Sequence, residues 1–116
     1  MKIQLDHVSA AEAGDYYQVH FEAADDGDGR YVLIQRQFED VDGGLCYLET
    51  HNQEYIGHFK VVRATLDRHR FCLELRRKKS SQVEVTFETN EPTYIEVSRI
   101  LRIIIPCLAV VGEGAG

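Results

Sequence analysis

The stretch QVEVTFETNEPTYIEVSRILRIII, residues 82–105, changes its hydrophobic period halfway along, and that change decides the fold class. Val83, Val85 and Phe87 alternate with Glu84, Thr86 and Glu88, the two-residue period of a strand with one buried face. Beyond Asn90 the period lengthens. Val97, Leu101 and Ile104 recur at helical spacing, with Arg99 and Arg102 on the opposite side. Asn90 suits a helix cap, Pro92 a first turn, and Thr93-Tyr94-Ile95-Glu96 has the form of a capping box. The reading is a helix over 93–104, stopped by Pro106, with its apolar side against Leu73, Leu75, Val83, Val85 and Phe87. The β-branched residues leave an eighth strand as the alternative.

Working back from this stretch, strands alternate with turns. Arg77-Lys78-Lys79-Ser80-Ser81 is a turn, and Phe59–Leu66 with Arg70–Leu75 forms a hairpin around Asp67-Arg68-His69. Asn52–Gly57 reads as a loop and Leu45–Thr50 as a strand. Tyr31–Glu39 carries Val32, Ile34 and Phe38 on one face, and Tyr31 and Leu33 on the other. Apolar groups on both faces predict a central strand covered from both sides. Asp25-Asp26-Gly27-Asp28-Gly29 and Asp40–Gly44 are acidic glycine turns at its two ends. Tyr17–Ala23 is a half-buried strand, SAAEAGD (9–15) a loop or single helical turn, and 2–8 a short strand. The expected fold is α+β: a curved, predominantly antiparallel sheet of six or seven strands, with one C-terminal helix packed on it. Residues 1–105 form one domain and 106–116 a tail.

A chain of 116 residues with 44% hydrophobic and 28% charged residues folds as one globular domain without a metal or disulfide. Cys46, Cys72 and Cys107 are odd in number and lack zinc or redox spacing, so they read as apolar fillers in a reducing compartment. No signal peptide or membrane span is legible, and cytoplasm is the expected location. The net charge of −6 is uneven. Residues 1–59 hold 12 acids and 3 bases, whereas residues 60–79 hold 2 acids and 8 bases. An acidic surface repels nucleic acid and membranes and attracts basic proteins.

No residue set assembles a catalytic site, and no cofactor is expected. His51 and His58 with Cys46 lack the fixed spacing of zinc ligands, and solvated strand histidines are the better reading. His69 and Cys72 flank a turn that points them apart. The acidic glycine turns lack the distal glutamate of a calcium loop. The basic run Arg76-Arg77-Lys78-Lys79 has no nucleic-acid motif around it and reads as a solvated strand end.

Residues 31–36 (YVLIQR), then an acidic gap, then 46–53 (CYLETHNQ) resemble the immunity protein 10 family of bacterial polymorphic-toxin systems. GHFKVVRATLDRHRFCLEL, the VEVTFET strand and a closing helix follow in similar order, so that the likeness spans most of residues 16–105. The resemblance implies a non-catalytic cytoplasmic antidote that binds and neutralises a cognate toxin. A basic toxin would meet the acidic set Asp25, Asp26, Asp28, Asp40, Asp42, Glu49 and Glu54. Asp40, Asp42, Glu49 and Glu54 are the favoured contacts, because they flank the stretch that carries the resemblance. The alternatives are a small-molecule-binding or enzymatic β domain with its pocket between sheet and helix, and a homo-oligomer.

Overall fold

The computed structural model describes residues 1–23, 29–37 and 45–111. Among the described residues, ten strands form two five-stranded sheets, with a single α-helix, α1 (Glu91–Ile104). The first sheet holds β2 (His7–Ala13), β3 (Tyr16–Glu22), β4 (Tyr31–Gln37), β5 (Cys46–Thr50) and β6 (Gly57–Phe59), in that order and antiparallel throughout. The second holds β7 (Val61–Leu66), β8 (Arg70–Leu75) and β9 (Gln82–Thr86) as an antiparallel meander. Its edges are β1 (Lys2–Gln4), parallel to β9, and β10 (Leu108–Val110), parallel to β7.

Seven of these strands correspond to the seven read from the sequence once two bends are recognised. Only Leu5 and Asp6 separate β1 from β2. The Leu5 amide donates to Thr86 of the second sheet and the Asp6 amide to Glu22 of the first, so one chain segment passes between sheets within two residues. Lys60 is the corresponding bend between β6 and β7, its carbonyl accepting from the Arg76 amide.

Three local expectations are corrected. Residues 9–13 are strand, not loop or helical turn: β2 pairs with β3 over seven residues, and this ladder overrides the weak strand preference of alanine. Gly14-Asp15 closes that hairpin in two residues, with Gly14 at φ +58°, where glycine is favoured. The 106–116 stretch is not wholly a tail, since Leu108 and Val110 pack on the core as β10. The loop at 52–57 contains a 3₁₀ turn, Gln53–Tyr55, that buries Tyr55.

The inner faces share one core. Phe21 stacks on Phe71 at 5.6 Å and meets Phe87 at 5.3 Å, which joins the two sheets. Farther along the same face of the first sheet, α1 takes the place of the second sheet. It packs on β2, β3 and β4, Arg99 pairs with Glu12 at 2.7 Å, and Arg36 Nη1 donates to the Ile104 carbonyl at 3.2 Å. Val97, Ile100, Leu101 and Ile104 are fully buried. Asn90 caps the helix by accepting from the Thr93 amide at 2.9 Å, so Thr93 lies inside the helix rather than at its cap. Ile105 ends it just before Pro106.

Candidate functional site

Because the second sheet and α1 both lie on the inner side of the first sheet, the outer face of that sheet is covered by no other element among the described residues. This corrects the expectation that β4 is covered from both sides. Tyr31 and Leu33 do point away from the core, and among the described residues they are shielded by their sheet neighbours and, for Tyr31, by His51, so that they remain half-buried.

The strand register fixes the composition of this face. Glu22 lies opposite Tyr31; His20, Leu33 and Glu49 form the next row; Gln18, Gln35, Tyr47 and His58 form the row after that. Leu33 is thus an apolar centre ringed by tyrosine, histidine and glutamine. Glu22 and Glu49 carry its negative charge, and no described strand position on this face is a lysine or arginine.

Glu49 is the most constrained group here. Tyr31 Oη donates to its Oε2 at 2.7 Å and Tyr47 Oη to its Oε1 at 2.8 Å. The two phenols hold the Glu49 carboxyl below its ordinary range. In return, donation to the carboxylate pushes Tyr31 up to about 12 and raises Tyr47. Around this clamp His20 meets Tyr31 edge-on at 5.9 Å, His51 lies 6.5 Å from Tyr31, and His58 lies 5.2 Å from Tyr47. Gln35 Nε2 donates to Gln18 Oε1 at 2.8 Å, tying β4 to β3. A shallow depression of about 210 Å³ is lined by Tyr16, Gln35, Arg36, Gln37, Tyr47 and His58.

Of the four favoured contacts, only Glu49 and Glu54 lie among the described residues. Asp40 and Asp42 lie outside the described residues, as do Asp25, Asp26 and Asp28. Glu49 projects from a strand, not a loop. Glu54 belongs to the 3₁₀ turn that Thr50 and Asn52 shape, where Asn52 Oδ1 accepts from the Glu54 amide at 3.0 Å. Its carboxylate accepts from Ser80 Oγ at 2.6 Å, in the turn between β8 and β9. Glu49 and Glu54 therefore serve different surroundings.

Part of the basic run holds the same turn. Arg77 donates to the Ser80 carbonyl at 2.9 and 2.7 Å and stacks over Tyr55 at 5.1 Å and Phe59 at 4.8 Å. Its guanidinium clips the turn to the body of the protein. Cys46 faces the core, where burial pushes its thiol up to about 11, whereas His51 and His58 lie on the opposite side of the sheet. His69 faces Glu88 at 4.0 Å, while Cys72 Sγ faces Glu84 at 3.9 Å, so these two share no site. No group of three potential metal ligands occurs among the described residues, and no described helix is long and apolar enough to cross a membrane.

The residues missed from sequence are Tyr31, Tyr47, His20, His58 and Gln35. Their signal was available: the outward positions of β3–β5 carry aromatic, imidazole and amide groups where a solvated strand face ordinarily carries lysine, glutamate and threonine. Comparison with protein-family models, curated proteins and solved structures returned no match.

Proposed function

We propose that this chain is a non-catalytic binding protein, of the toxin-neutralising kind that the immunity protein 10 resemblance implies, and that its partner lies on the outer face of β3, β4 and β5. One observation carries this reading. β4 is apolar on both faces, yet among the described residues the chain covers only one, so Leu33 and the tyrosines beside it are left for another molecule to cover. An apolar centre within a polar, hydrogen-bonding rim is the anatomy of a protein interface, and tyrosine is favoured there because it offers large contact area with few torsions to freeze. An antidote of this kind acts in the cytoplasm, and its negative face suits a basic toxin. Co-expression with the product of the adjacent reading frame provides the test. The two proteins should co-purify, and Gln35→Arg should abolish the complex without unfolding the chain. A complex indifferent to Gln35→Arg and to Leu33→Asp would place the interface elsewhere.

A second reading rests on a groove of about 860 Å³ between the β7–β8 turn, the end of β9 and the start of α1. Leu5, Phe87 and Tyr94 line it, and its size falls within the range of small-molecule sites. Its charges are largely matched internally: Arg68 lies 3.7 Å from Glu91 and stacks on Tyr94 at 5.4 Å. A metabolite retained through purification and visible by native mass spectrometry would favour this reading. An empty protein that captures its neighbour would favour the first.

A further inference from the structure

Glu49 poses a problem for any partner that covers Leu33. A carboxylate covered by an apolar surface, with no cation beside it, pays a desolvation penalty that its two tyrosine bonds do not cancel. Among the described residues no strand position on this face is a lysine or arginine that could supply that cation, and His20, on the same row, faces Glu22 at 4.0 Å. Arg36 does not supply it, because its Nη1 is turned to the Ile104 carbonyl on the inner side.

We infer that the Glu49 carboxylate, fixed by Tyr31 and Tyr47, receives a basic side chain of the partner, arginine above all. The inference deepens the binding-face reading and rests on it. Each phenol occupies one lone pair on a different carboxylate oxygen, which leaves each oxygen a further acceptor direction. Two oxygens held in a set plane match the two parallel N–H bonds of a guanidinium, whereas an ammonium uses such a plane less fully. Along β5 the carboxylate is bracketed by aromatic pairs, Tyr47 with His58 and Tyr31 with His51. Ring faces attract a cation and repel an anion. The depression beside Tyr47 has the volume of one side chain, enough to seat a neighbouring anchor from the same partner segment. The clamp also reduces the ordering cost of recognition, since Glu49 need not be immobilised when the guanidinium arrives.

The test uses the full chain, isotope-labelled, titrated with N-acetyl-arginine methylamide and followed by NMR. The uncharged citrulline analogue is the control. Saturable shifts are expected at the amides of residues 31–33 and 47–51 with the arginine probe and not with citrulline. Glu49→Gln preserves shape and should weaken the probe about tenfold or more. Leu33→Lys places the protein's own cation beside Glu49 and should exclude the probe independently. Shifts that spread over the acidic surface, follow Glu22 or Glu54, or persist in both variants would overturn the assignment. If the wild-type chain ignores the probe yet captures its neighbour through a Gln35→Arg-sensitive face, the arginine site falls and the binding face stands. Probe binding at Glu49 in a chain that captures nothing establishes the site and removes the antidote reading.

Discussion

The two sheets bury equivalent inner faces but present different outer ones. On the second sheet the outward positions include Lys2, Arg63, Arg70, Glu74 and Glu84, with Gln4, Gln82, Thr65, Thr86, Cys72 and the exposed Val62 among them: both signs of charge interspersed, as on an ordinary solvated surface. On the first sheet, beyond the serine and alanines of β2, they are tyrosine, histidine, glutamine and leucine, with carboxylates and, among the described strand positions, no lysine or arginine. A hydropathy pattern scores both as alternating half-buried strands. Alternation reports where the core is, while the chemistry of the outward residues reports what the protein meets.

The largest expected effect belongs to the inner side. Phe21 is fully buried between Phe71 and Phe87, so Phe21→Ala should lower stability by about 3–5 kcal/mol in a denaturant titration. Leu101→Ala, in the helix face that shares this core, should cost about 2–5 kcal/mol. Outer-face substitutions on either sheet, such as Glu74→Gln or Gln18→Ala, should stay within about 1 kcal/mol. A Gln18→Ala loss as large as that of Phe21→Ala would mean that the outer face is a second core, and the contrast between the faces would fail.

A smaller effect separates the outer faces by pH. The lowered Glu49 carboxyl stabilises the fold above the ordinary value of 4.5, and this contribution is lost as pH falls through its folded value. The raised Tyr31 stabilises the fold fully below 10.0, and its contribution is lost as pH rises through about 12. Glu49→Gln should therefore flatten the stability profile at both the acid and the alkaline end, with tyrosinate absorbance showing Tyr31 titrating earlier. Equal profiles for wild type and variant would show that the clamp does not form in solution.

The smallest expected effect concerns thiols. Cys107 is exposed and should react readily with a thiol reagent in the native state. Cys46, buried and pushed up to about 11, should react only on unfolding. Rapid native modification of Cys46 would show that the inner side of β5 opens.

Much of the fold was legible because periodicity is local. The change of period after Phe87, the Asn90 cap and Pro106 located α1 without tertiary information, and each strand that buries Val, Ile or Phe alternately announced itself. β2 was illegible because Ala10 and Ala11 carry little hydropathy contrast, and only pairing with β3 makes them strand. β10 is three residues long and depends on β7 in the same way. The site was legible in one residue, Glu49, but for its charge rather than its surroundings. Its ligation by Tyr31 joins two strands, and the sequence does not give register. The apolar outer face of Tyr31–Gln37 was also visible. It pointed to a second cover, and the described chain supplies none.

On the proposed function, this cover is another protein. The direct measurement is the affinity of the adjacent reading frame's product for two variants of equal stability, Gln35→Arg on the first sheet and Arg70→Gln on the second. Gln35→Arg is expected to weaken binding about a hundredfold or more, while Arg70→Gln changes it less than about twofold. Binding that survives Gln35→Arg and is lost with Arg70→Gln would contradict this expectation.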